Sequence, residues 1–138
     1  MATQSAAKLS DKQREFLENP FGGVATTIRK DGSPHNTVVW VDVDDRGVSF
    51  NTARGRAKDV HLQADPRVSL TVVDPQDYYR WISITGTAEL TEEGADDQID
   101  RLAKKYLGKD TYPWRTPEET RVGVRITPGR IEAHGIED

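Results

Sequence analysis

What most constrains the fold of this chain is a succession of short β-branched runs, each closed by a turn within a few residues. Val24–Arg29, Pro34–Val43, Val48–Thr52, Arg67–Asp74 and Ile82–Leu90 all read as strands. Lys30-Asp31-Gly32-Ser33 and Asp44-Asp45-Arg46-Gly47 are hairpin turns, so the first half is a meander. Pro34 stands only at the start of its run, where a missing donor is tolerated. Val38 to Val41 are apolar without interruption, which predicts a strand covered on both faces, by the core and by a ligand or partner subunit. Gly86 inside the 82–90 run predicts a bulge or a close backbone approach of the kind that turns corners in small barrels. Arg121–Thr127 and Arg130–His134 close the chain as two strands or one bent strand around Pro128-Gly129.

Little chain is left for helices. Ser10-Asp11-Lys12-Gln13 is a capping-box pattern that opens a short helix ending before Pro20. A second runs from Ala57 to Ala64, burying Val60 and Leu62, until Asp65-Pro66 stops it; His61 on it is read as solvent-facing or capping. The third, Ala95–Leu107, has Ile99, Leu102, Ala103, Tyr106 and Leu107 on one stripe, acids first, lysines last, and Gly108 beyond. Mainly antiparallel β with helices over the ends points to a small barrel. At 138 residues the expectation is a loose tail over 1–9 and a single domain over 10–138, large enough for a core and small enough to gain from dimerisation.

The stretch that carries chemistry is Asn51-Thr52-Ala53-Arg54-Gly55-Arg56-Ala57-Lys58, where a strand passes through a basic turn into a helix. Cations at a helix N-terminus oppose its dipole, so something negative belongs there. Free N–H groups, Gly55 and the long basic side chains make a phosphate cradle. Neither G-x-x-x-x-G-K-[ST] nor G-x-G-x-x-G is present, which favours a lone phosphate or phosphodiester over a nucleotide tail. Taken alone, a basic triplet is more often a solvated loop. Tyr78-Tyr79-Arg80-Trp81 gathers aromatics at a strand mouth, as core or edge residues or as company for a flat ring.

Composition excludes other chemistries. There is no cysteine, and His35, His61 and His134 lie far apart, so neither a thiolate nucleophile nor a metal site is expected. No apolar run is long enough for a membrane span and no secretory leader is evident, so a cytoplasmic location is expected. With a net charge of -4, nucleic-acid binding through Tyr78, Tyr79 and Trp81 is disfavoured.

In order and spacing, Gly23-Val24-Ala25-Thr26, Asp31-Gly32-Ser33-Pro34-His35, Arg56-Ala57-Lys58, Asp65-Pro66-Arg67-Val68 and Gly86-Thr87-Ala88-Glu89-Leu90 resemble the pyridoxamine 5′-phosphate oxidase-like split β-barrel family, and its branch that uses the deazaflavin coenzyme F420. The resemblance implies a homodimer with the cofactor in a groove at the interface. Arg56 and Lys58 would bind its phosphate, and Asn51, Thr52, Ala53 and Ala57 would add backbone or short polar contacts. Val38 would floor the ring, and Tyr79 and Trp81 would come from the partner subunit. Arg54 is given no settled role beyond a rim charge facing a polyglutamate tail. The implied activity is hydride transfer from reduced F420 to a small conjugated acceptor. The cofactor carries the hard chemistry, so no catalytic residue is named; the proton could come from water, Tyr79 or His35. An FMN-dependent oxidase or reductase, or a non-catalytic binder on the same barrel, are the alternatives.

Overall fold

The computed structural model describes residues 7–136. Helix α1 (Asp11–Glu18) is closed by the predicted capping box: Gln13 N–H donates to Ser10 Oγ at 3.1 Å and Ser10 N–H to Gln13 Oε1 at 2.9 Å. It buries Phe16 and Leu17 against the sheet. Residues 1–6 of the expected tail lie outside the described residues, while Leu9 packs against the core.

The strands are β1 (Gly23–Ile28), β2 (Pro34–Val39), β3 (Asp42–Asp44), β4 (Gly47–Ala53), β5 (Arg67–Asp74), β6 (Asp77–Thr91) and β7 (Arg121–His134), in one sheet of order β2-β1-β5-β6-β7-β4-β3. Every neighbouring pair is antiparallel. The sheet curls around Ala25, Phe50, Leu70, Ile82, Ile84 and Val124, all fully buried. Alternation sets the inner face: in β5, Val68, Leu70 and Val72 are buried while Arg67 and Thr71 face out.

The run read as one strand over 34–43 is two. Trp40 and Val41 separate β2 from β3, which lie at opposite edges of the sheet. The cause is tertiary. Val41 N–H donates to Tyr106 Oη at 2.9 Å, the Tyr106 hydroxyl donates to Phe21 O at 2.6 Å, and Lys105 Nζ donates to Val41 O at 2.6 Å and Leu17 O at 2.7 Å. The last turn of α3 (Ala95–Leu107) thus takes up hydrogen-bonding groups that a continued strand would have spent on a neighbour. β7 is a single strand through Pro128-Gly129, and β6 extends back to include Tyr78–Trp81.

Gly86 is the predicted irregularity. The β6–β7 register shifts between Thr85 and Gly86, and a Cβ on Gly86 would lie 1.9 Å from Thr127 O, a distance only glycine permits. Gly108, at φ 72°, ends α3 in the left-handed conformation.

Candidate functional site: a cavity over the basic turn

The basic turn leaves β4 and enters α2 (Ala57–Ala64) as the sequence predicts, and the anion its dipole calls for is already present in part. Asp59, in the first turn of α2 and 2% exposed, accepts from Arg54 Nη1 at 2.8 Å, Gly55 N at 2.8 Å and Gln63 Nε2 at 3.0 Å. Burial works against its charge, but these donors outweigh it and hold the carboxyl below its ordinary range. Arg54 also donates to Glu92 Oε2 at 2.9 Å, so it is a structural cation tied to two acids. The turn is therefore organised from within. Val60, expected inside, is 55% exposed; α2 faces inward through Asp59 and Leu62 instead. His61, read as solvent-facing or capping, is half-buried, with Nδ1 2.9 Å from Thr27 Oγ1 and its ring edge-on to His35.

With Arg54 and Asp59 paired, Arg56 and Lys58 turn the other way, into a cavity of about 200 Å³. Arg56 occupies the N-cap position without a side-chain cap bond. Lys58 Nζ donates to Thr37 Oγ1 at 3.2 Å, and burial, reinforced by Arg56, lowers its pKa. Trp40 forms an aromatic wall, stacked on Tyr106 at 5.4 Å with 9° between planes and met edge-on by Tyr112. Val38, 76% exposed, stands at the mouth, and Ile99 and Leu102 supply apolar surface from α3.

Of the nine residues named from sequence, Val38, Asn51, Thr52, Arg56 and Lys58 line this cavity. Ala53 is buried in β4 and Ala57 opens α2, both in the turn but not on the cavity wall. Asn51 is used in part structurally, donating to Ala95 O and Gln98 Oε1 at 2.9 Å each. Tyr79 and Trp81 are not brought to the cavity within one subunit. Trp81 stacks on His134 at 6.4 Å, and Tyr79 is 76% exposed. His35 and Tyr79, the side-chain proton sources considered, do not line it either.

Sequence reasoning missed Arg121. It is 5% exposed, opens β7, lines the cavity, donates to Glu119 Oε2 at 2.7 Å and to Asn51 Oδ1 at 3.3 Å, and lies 4.7 Å over the Tyr112 ring. Glu119 also pairs with Arg56. Burial would raise the Glu119 carboxyl, yet Arg121 and Arg56 hold it below its usual range. The available signal was an arginine heading the short apolar run Val122-Gly123-Val124. The loop holding Tyr112 and Trp114 packs here: Tyr112 against Trp40, and Trp114 edge-on to Tyr112. Among the described residues, Thr52 Oγ1 and Arg121 Nε are buried at the cavity residues without a hydrogen-bond partner. Such atoms are costly unless something completes them.

Among the described residues no trio of His, Asp or Glu is placed to hold a metal ion, and no helix is long and apolar enough to cross a membrane.

Comparison with known proteins identifies the family. The pyridoxamine 5′-phosphate oxidase family model matches residues 9–135. The chain is 28% identical over 123 residues to the pyridoxine/pyridoxamine 5′-phosphate oxidase of Cronobacter sakazakii, covering 87% of this chain and 50% of that protein, so it spans about half the length of such curated relatives. It is 25% identical over 122 residues to an F420H(2)-dependent biliverdin reductase of Mycobacterium tuberculosis, covering 88% of this chain and 87% of that one. Among solved structures, an F420 reductase superposes with a TM-score of 0.74 at 25% identity over 86% of this chain and 94% of the other. A conserved hypothetical protein of Mycobacterium tuberculosis superposes with a TM-score of 0.72 at 29% identity over 97% and 89%. The curled antiparallel sheet, its three helices and a family match over nearly the whole chain agree: this protein belongs to the pyridoxamine 5′-phosphate oxidase family.

Proposed function

We propose that this protein is an F420-dependent oxidoreductase that transfers a hydride from the reduced deazaflavin to a small conjugated acceptor. The carrying observation is the cavity itself, where a basic end at Arg56 and Lys58 adjoins an apolar, aromatic wall at Trp40, Val38 and Leu102. That pairing suits a ligand with an anionic tail and a flat ring. The deazaflavin supplies the hydride-carrying carbon when bound, and the protein supplies orientation and exclusion of water. Lys58 and Arg56 would anchor the phosphate, and the Thr52 hydroxyl is free to complete a polar contact. The F420-dependent relative, matched over 87% of its own length against 50% for the oxidase of Cronobacter sakazakii, supports this cofactor over FMN. The likeness to pyridoxine/pyridoxamine 5′-phosphate oxidases favours FMN in the same cradle as the second reading.

A homodimer completes the reading. Tyr79, Val24 and Val38 leave apolar surface exposed on the outer side of the sheet, and Val24 and Val38 are direct cross-strand neighbours. The partner subunit would bring its Tyr79 and Trp81 towards the ring. Side-by-side titration with F420 and FMN tests the cofactor: quenching of F420 fluorescence with a colourless purified protein is expected, and tight FMN binding alone would overturn it. Oxidation of reduced F420 with enones, quinones, tetrapyrroles or nitro compounds tests turnover; binding without oxidation by any of them would leave a carrier. Sedimentation should give a dimer, and a monomer that binds F420 normally would remove Tyr79 and Trp81 from the site.

A further inference from the structure

Three cationic side chains line the cavity, and two of them share one acid. Glu119 belongs to the irregular segment between α3 and β7, and its two carboxylate oxygens are divided between Arg56 and Arg121. Among the described residues Lys58 has no acid of its own, only the Thr37 hydroxyl. The lining therefore carries three positive charges, met by the single negative charge of Glu119 behind it, an imbalance that a mono- or dianion would remove. Arg121 Nε and Thr52 Oγ1 are buried and unpartnered in residues only 5% and 1% exposed. An arginine Nε–H can only donate, so what it lacks is an acceptor.

We propose that Glu119 is a resident stand-in for the ligand's anionic group: it holds Arg56 and Arg121 until a phosphate-type anion displaces it, and Arg121, with Thr52, then becomes a third arm of the cradle. This rests on the cavity being where the cofactor's anionic group binds. A phosphoryl group offers more acceptor oxygens than one carboxylate, enough to serve Arg56, Lys58 and Arg121 together. The carboxylate it replaces is only partly buried, with 20% of its side chain exposed, and turns towards water at modest cost. Trp114, 61% exposed on the same segment, is a built-in reporter of the movement.

The test uses Glu119→Gln and Arg121→Lys, titrated with inorganic pyrophosphate, with F420, and with the deazaflavin riboside that lacks the phosphate, reading Trp and deazaflavin fluorescence. Removing the competing charge should tighten pyrophosphate and F420 about five- to tenfold, with the riboside unchanged. Arg121→Lys, which keeps a charge but loses Nε and the planar fork, should weaken both anionic ligands about tenfold and leave the riboside unchanged. A scaffold role predicts the opposite sign for Glu119→Gln, and equal or weaker pyrophosphate binding in that variant overturns the proposal. If it does not fold, Glu119→Ala is measured in its place, and failure of both to fold counts against displacement. Tighter pyrophosphate binding in a protein that takes up neither F420 nor FMN would sustain the displacement and remove the cofactor reading.

Discussion

Replacing Asp59 by Asn should uncouple the basic turn from the helix it introduces. The carboxylate serves three donors, Arg54 and Gln63 on Oδ1 and the Gly55 N–H on Oδ2. An asparagine keeps a single acceptor oxygen, so whichever way the amide lies at least one donor faces an NH₂ group. Leaving a buried N–H unpaired costs about 1–3 kcal/mol, and reducing a charge-assisted bond to a neutral one adds up to roughly 1 kcal/mol. Arg54 is a third exposed and retains Glu92, so the electrostatic share is discounted. The expected loss is about 2–3 kcal/mol, a fall in Tm of roughly 6–12 °C for a chain of this size. Urea and thermal unfolding followed by tryptophan fluorescence measure it. The pH dependence gives a second check. Because the folded carboxyl lies below its unfolded value of 3.8, its stabilisation is fully present above that value and is lost as pH falls through the folded one. Wild type and variant should converge in acid. A difference under about 0.5 kcal/mol at pH 7, or one that persists unchanged below the folded pKa, would refute the assignment.

Three further outcomes are expected. Lys58→Ala should weaken F420 binding by about 1.5–3 kcal/mol, some 10- to 150-fold in Kd. Since Lys58 sheds its proton below the ordinary lysine value, wild-type affinity should start to fall at a lower pH than an exposed lysine would dictate, a limb absent from the variant. Gly86→Ala should destabilise by at least about 2 kcal/mol because the new methyl meets the Thr127 backbone; an unfolding midpoint equal to wild type would contradict this. Lys105 is brought down to about 8, mainly by burial with Asp42 and Glu18 opposing, so between about 8 and 10.5 the unfolded chain binds the extra proton and stability gains with rising pH. Lys105→Met should lack that gain in urea titrations across the same range.

Local rules carried much of the fold. The stripe Ile99–Leu102–Ala103–Tyr106 and Gly108 announced α3, the Ser10–Gln13 box announced α1, and Gly86 announced the bulge, because each is decided by neighbours in sequence. The break at Trp40-Val41 was not legible. Nothing in the run Val38–Val41 resembles a turn, and the groups that stop the strand reside on Tyr106 and Lys105, more than sixty residues away. The site divides in the same way. Arg56 and Lys58 could be read from a turn that needs an anion, whereas Arg121 joins them only through sheet pairing of β4 with β7 and through Glu119. Val60 and Leu62 were alike to a hydropathy pattern, and only the buried Asp59 decided which way the helix faces.

The two-residue joint at Trp40-Val41 also governs how the curled sheet can breathe. Its opposite rims, β2 and β3, are successive pieces of one segment, so Val39 and Asp42 can never separate by more than about 11 Å, three fully extended residues. Any parting of the rims must widen like a pair of scissors from that pivot, and the indole at the pivot is the one that walls the cavity.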